Sequence, residues 1–240
     1  MKLLILILGL IAERYMDGMD ALRSMAWYER WEALILKTMK LPTFVLLFIC
    51  ILPLPMLLGL FHLTYGSGYQ TYGIFTLIDL GVLILCLGPA SFYEVAISKQ
   101  KFNQEAYFEQ MNAQWFAPIL WYIFSSIEIC LLYRLVRHAL KHPKLGQCAQ
   151  EVLDYMDWVP TRLMSLMYML AGNFQNAMPF FVQHALSNVH QNRLVLTGCA
   201  IRAMKSEEDE SASAIKAQDL VWRAMILVLT GVALTQIKSL

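Results

Sequence analysis

The sequence predicts an all-α, polytopic integral membrane protein, and three observations predict it. The 240 residues are 58% apolar and only 15% charged, against roughly 45–50% and about 25% in soluble domains. The apolar residues gather into runs at 43–63, 73–90, 115–133 and 219–237. Every long segment repeats with the period of a helix, and none alternates as a strand does. We expect one membrane domain over 1–240. It would have about four to five membrane segments, because a crossing takes about 20 apolar residues. Some segments would be short or re-entrant, and amphipathic helices would lie on the surface.

Residues 1–12, MKLLILILGLIA, carry one lysine and then an apolar run. The exit, Ala12-Glu13-Arg14-Tyr15, lacks a small-x-small cleavage site, so 1–40 reads as an uncleaved anchor followed by an interfacial helix. Within 19–40, Arg23, Arg30 and Lys37 recur every seven residues beside Trp27 and Trp31, with Glu29 and Glu32 on the far side. That pattern fits a helix among lipid headgroups or an amphipathic helix packed on protein. The run 43–63 carries Pro53 and Pro55 in its middle, which must kink or break it.

Residues 64–72, TYGSGYQTY, form an uncharged turn between aromatic anchors. Asp79 lies inside the next run, as an interface residue or a polar contact between spans. Residues 91–114 read as a surface helix. In 115–133, Glu128 lies well inside the run and must be protonated or paired there. Arg134, Arg162 and Arg223 are candidate partners by residue type. Arg134, Arg137, Lys141 and Lys144 then form a basic cluster with His138 and His142, which suits a helix end facing anionic lipid or cytosol.

Residues 173–186 hold Pro179, which starts or kinks a helix, and 187–204 read as a surface helix. KSEEDESASA, 205–214, reads as a flexible acidic linker. The last span, 219–237, has Asp219 at its amino end and Arg223 one turn in. Topology does not close with every run crossing. An external turn at 64–72 and a cytoplasmic basic cluster at 134–144 demand an odd number of crossings between them, so one of 73–90 and 115–133 does not span fully.

The most informative stretch is Glu151–Gly172, EVLDYMDWVPTRLMSLMYMLAG. Pro160 lacks an N–H and restricts Val159, so a helix begins here, with Asp157 placed to cap it. Asp157 and Arg162 then stand at the mouth of an apolar helix. They form either a cap with a snorkelling arginine or a charged pocket near the membrane surface.

This stretch also carries a resemblance. Asp157, Trp158, Val159, Pro160, Arg162 and Leu163, followed by Tyr168, resemble the signature of the AmpE family of bacterial inner-membrane proteins. Ala171-Gly172, Ala177 and Pro179, Ala117-Pro118 with Leu120-Trp121, and Glu13-Arg14 are further matches. AmpE is related to the CobD/CbiB membrane proteins of cobalamin biosynthesis, which carry a similar Pro-Ala-Arg-Leu motif. The resemblance implies a multi-pass inner-membrane signalling or accessory protein. It would be linked to β-lactamase induction and cell-wall recycling, and partnered by the bilayer and an AmpD-like amidase. Its ligand-binding surface, for a small anionic ligand, would draw on Asp157, Trp158, Pro160, Arg162, Glu128 and Arg134.

The alternative is a CobD/CbiB-like enzyme that forms an amide between an amino-alcohol or its phosphate and a corrinoid carboxylate. Arg162 would hold the anion, and Glu128 or Asp157 would move the proton. The relatives' His-Pro-Val pattern is replaced here by Glu13-Arg14-Tyr15-Met16-Asp17-Gly18-Met19-Asp20, so the reading leans away from an enzyme. A transporter is a weaker third reading, with no internal repeat behind it. The five cysteines include no CxxC, and no disulfide, metal site or cofactor is expected. Near-zero net charge gives no sign of nucleic-acid binding.

Overall fold

The computed structural model describes residues 2–15, 25–39, 41–65, 72–88, 102–204 and 210–237. Every regular element among them is helical. In chain order these are α1 (Lys2–Tyr15), α2 (Ala26–Thr38), α3 (Thr43–Ile51), α4 (Pro53–Tyr65), α5 (Tyr72–Cys86) and α6 (Gln104–Met111). A π turn over Asn112–Phe116 leads into α7 (Ala117–Phe124) and then α8 (Ile127–Ala139) and α9 (Gly146–Met156). The chain closes with α10 (Trp158–Ala171), α11 (Phe174–His184), a 3-10 turn at Val189–Gln191, α12 (Asn192–Met204) and α13 (Glu210–Ile237). The expected turn at 64–72 and surface helix at 91–114 fall largely on 66–71 and 89–101, outside the described residues. The chain separates into two compact units, 1–89 with 118–153 and 90–117 with 154–240.

In the first unit α1 packs on α5, while α3, α4 and α5 all pack on α8. The prolines act where the sequence placed them. Helix α3 ends at Ile51, and α4 begins at Pro53. The ladder is carried across by Leu52 N–H to Phe48 O at 2.9 Å and Met56 N–H to Leu52 O at 3.0 Å. Together Thr43–Thr64 form a 22-residue stretch of mean hydropathy 2.7 that is long and apolar enough to cross a membrane. Only 28% of its window is buried, so most of its apolar surface is left for another apolar medium. Helices α1 and α5 contain shorter apolar stretches, Lys2–Ala12 and Gly73–Cys86.

The run 115–133 is not one helix. It breaks between Phe124 and Ile127, where Ser126 is extended (φ −155°, ψ 172°). Serine hydroxyls compete with the helical ladder, and two in a row weaken it. Lys2 holds the break open, its Nζ donating to Ser125 O at 2.9 Å and to Ile123 O at 3.2 Å. A cation on the last carbonyls of α7 suits the negative end of that helix. Glu128 consequently stands in the first turn of α8, not deep within a span.

Helix α2 combines the two readings offered for it, one on each face. Arg30, Lys37 and Trp31 are exposed, as a headgroup helix requires. Glu32, on the side away from the basic stripe, is 3% exposed and buries beside Tyr28 and Ile35. The reason is spacing: 28, 32 and 35 share one helix face, and that face packs on protein. Glu32 Oε1 finds no hydrogen-bond partner. Burial, and then the Glu29 carboxylate, raise the Glu32 carboxyl above its ordinary range.

The folded state thus keeps a proton that the unfolded chain has released. Stability is lost as pH rises from the ordinary glutamate value of about 4.3 through the raised one. Glu32→Gln should raise the thermal midpoint of the purified protein more at about pH 8 than at about pH 5, flattening the alkaline fall. Equal shifts at both values would show that Glu32 does not titrate differently in the fold.

In the second unit α12 is the hub, packed on α6, α10 and α11, while α10 also meets α13. The expected surface helix at 187–204 is therefore corrected. Val195, Leu196, Cys199, Ala200 and Ala203 of α12 are all buried, because small residues let its neighbours close in on several sides. Helix α6 likewise buries Tyr107, Phe108 and Met111. Its ladder loosens in the π turn, where Ala117 N–H reaches back five residues to Asn112 O, just before Pro118 interrupts it.

Helix α13 begins at Glu210, so 210–214 of the expected linker are helical, and 205–209 lie outside the described residues. Ser213 and Ala217 bury and draw the helix back to this point. Asp219 is accordingly nine residues inside the helix, not at its amino end. Ser213–Thr235 is the second stretch long and apolar enough to cross a membrane, with 39% of its window buried.

Candidate functional site

The corner foreseen in Glu151–Gly172 is present. Helix α9 stops at Met156 and α10 starts at Trp158. Pro160 is the third residue of α10, where its missing N–H had no intrahelical acceptor to lose. Asp157 occupies the cap position but makes no side-chain cap. A capping side chain needs an extended backbone, and Asp157 keeps near-helical dihedrals (φ −77°, ψ −11°). Its carbonyl oxygen does the capping work, accepting from Thr161 N–H at 3.0 Å and Thr161 Oγ1 at 2.8 Å.

Arg162 is 7% exposed, and all three of its nitrogens donate to the protein. Nε donates to Ala185 O at 3.1 Å, and Nη2 donates to Ser187 O at 3.1 Å and Ser187 Oγ at 3.3 Å. Nη1 donates to Thr161 Oγ1 at 3.0 Å, to Trp158 O at 3.4 Å and to Asn192 Oδ1. The guanidinium also lies 4.8 Å from the Trp158 ring centre, within cation–π range, and Trp158 Nε1 donates to Ser187 O at 3.4 Å.

Asn192 extends this network. Its Nδ2 donates to Asp154 O at 2.6 Å, and the Asp154 carboxylate meets His190 Nδ1 at 2.7 Å. One planar cation thereby fixes the start of α10, the carboxyl end of α11 and the start of α12. A forked guanidinium serves three directions where a point charge serves fewer. Of the expected site residues, Asp157, Trp158, Pro160 and Arg162 are brought together here. Ser187, His190 and Asn192 were not foreseen; they lie 25 or more residues beyond Arg162, and polar residues between helices carry no distinguishing signal.

Glu128 and Arg134 belong to the first unit, both on α8. The partner the structure supplies for Glu128 is His62, not one of the arginines named by type. His62 Nδ1 stands 2.6 Å from Glu128 Oε1, and its Nε2 is 3.3 Å from Asp79 Oδ1. The imidazole thus lies between two carboxylates and ties α4, α5 and α8, with the Phe75 ring at 5.2 Å. Asp79 is therefore the polar contact between helices. The missed signal was an ionisable residue near the end of an apolar run, which calls for a partner. Arg134 is half-buried, two positions before the buried Val136. His138 is 8% exposed, 3.7 Å from Glu29 and edge-on to Tyr28. Burial, and then the Lys141 and Arg134 charges, lower its imidazole below the ordinary range despite Glu29.

A family model described as "Regulatory signalling modulator protein AmpE" matches residues 104–239, more than half of the chain. The chain belongs to the AmpE family. The match takes in α6 to α13, and with them the whole Arg162 network of this AmpE-family protein. No curated protein and no solved structure matches the chain. The second unit also has a recess at the opposite, carboxyl end of α10. It measures about 260 Å³ and is lined by Gly172, Ala203, Met204, Lys216, Asp219, Leu220 and Arg223.

Proposed function

We propose that this AmpE-family chain is a multi-pass protein of the bacterial inner membrane that acts as a signalling or accessory protein in β-lactamase induction. It would work alongside an AmpD-like amidase of cell-wall recycling. The observation that carries the reading is the match to the regulatory signalling modulator family over 104–239. The two helical stretches apolar enough to cross a membrane, Thr43–Thr64 and Ser213–Thr235, support the location. On this reading the corner at Asp157, Trp158, Pro160 and Arg162 is the rigid scaffold of a partner-facing surface, and His62, Asp79 and Glu128 are the polar joint of the membrane helices. The amide-forming enzyme gains no support, since Arg162, its expected anion holder, spends its nitrogens on the chain's own oxygens.

The test is β-lactamase activity in a host with an inducible enzyme, with and without a β-lactam, after deletion of the gene and after its return. A changed induction ratio restored by the returned gene supports the reading. An unchanged ratio, with the protein shown to be present in the wild type, rejects it.

A further inference from the structure

The exposed face of α13 is sorted along its length. Positions 215, 219, 223, 226, 230 and 234 are exposed and recur at three- and four-residue steps, so they form one stripe. After the exposed Ile215 come its charged members, Asp219 and Arg223, and below them are Ile226, Thr230 and Leu234 with no further charge until Lys238. Ile226 and Leu234 are 59% and 62% exposed. A charged stretch followed by a largely apolar exposed face matches the profile of a phospholipid molecule, headgroup first and acyl chain after.

The recess beside Gly172 sits at the charged stretch of that stripe. Lys216 and Arg223 bring two positive charges to it and Asp219 one negative. The Asp219–Arg223 pair is an exposed i,i+4 contact at 3.7 Å, a weak bond that leaves the guanidinium able to donate elsewhere. The carboxyl ends of α10 and α12 also reach the recess, but the Ala203 carbonyl there already accepts from Asn173 N–H at 2.7 Å. At about 260 Å³ the recess is smaller than the roughly 300–1,000 Å³ of drug-sized sites, so it suits a headgroup and not a whole lipid.

We propose that this recess binds the phosphate of an anionic membrane phospholipid through Lys216 and Arg223, with an acyl chain laid along Ile226, Thr230 and Leu234. This rests on the reading that α13 crosses the membrane. Basic pockets at the ends of membrane helices select phosphate headgroups by charge and by hydrogen bonding.

The experiment titrates the full chain, purified in detergent, with phosphatidylglycerol and counts bound lipid by native mass spectrometry. Lys216→Gln with Arg223→Gln is compared with the charge-matched control Arg193→Gln with Arg202→Gln, two exposed basic residues of α12 that do not line the recess. The expected result is a loss of affinity of about fivefold for each recess charge removed, with the control unchanged and no displacement by inorganic phosphate. Equal loss in the control, or lipid retained by the recess variant, overturns the proposal. Displacement by inorganic phosphate also overturns it, because the ligand is then a free anion. Carbonate washing of membranes separates this failure from the larger one. Protein released by the wash rejects the membrane reading and this proposal with it; retained protein without selective lipid binding rejects the proposal alone.

Discussion

Arg162→Ala should lower the stability of the second unit by about 3–5 kcal/mol, the sum of several non-additive charge-assisted bonds of about 1.5–3 kcal/mol each. The loss is large because the oxygens remain. Ala185 O, Ser187 O and Asn192 Oδ1 keep their positions around a side chain that is 7% exposed, and truncation leaves them without their donor. Arg162→Lys should recover less than half of the loss, since one ammonium cannot face α10, the Ala185–Ser187 segment and Asn192 together. Thermal unfolding in detergent measures both variants, and limited proteolysis should show new cleavage between 185 and 191. An unchanged midpoint combined with lost signalling would instead make Arg162 a ligand-binding group.

Gly172→Ala should cost about 1–3 kcal/mol by overpacking alone. A Cβ there would lie 2.5 Å from Ala203 O and 3.0 Å from Leu220 Cδ1, and the nearer obstacle is backbone. The Gly172 backbone (φ −121°, ψ −134°) lies outside the left-handed region, so the cost comes from contact and not from φ. Relief requires α10 and α12 to move apart at their carboxyl ends, which stretches the 2.7 Å bond from Asn173 N–H to Ala203 O. Gly81→Ala in α5 is the comparison, for a Cβ there meets nothing within 4 Å. That change should be neutral or stabilise by up to about 1 kcal/mol, as alanine does in helix interiors. Equal midpoints for the two variants would refute the steric account.

Local chemistry was legible and distant pairing was not. The break at Pro53 and the restart near Pro160 follow from a missing N–H, which acts on its own neighbours. The family match likewise covers the corner whose residues first pointed to it. The split of 115–133 was hidden because both halves are apolar, and the lysine that stabilises the gap lies more than 120 positions away. Whether the side of α2 that carries Glu32 meets water or protein was open, because a glutamate alone announces neither and its company with Tyr28 and Ile35 decides. The surroundings of Arg162 were hidden for a third reason. Its acceptors are mostly main-chain carbonyls, which every residue owns, so no side-chain pattern announces them. Asp219 was misplaced because the polar residues 210–214 resemble a loop in composition while two small ones among them and just after, Ser213 and Ala217, bury.

The hold of Lys2 on Ile123 and Ser125 has a consequence for biosynthesis. Lys2 grips oxygens made more than 120 positions later in the chain. Until they emerge, that ammonium lacks the acceptors it has in the fold, and the first unit cannot close, being built from two separate stretches of sequence. Its assembly is thus deferred until α7 has been translated, and Lys2→Met should slow maturation more than the exposed change Lys37→Met.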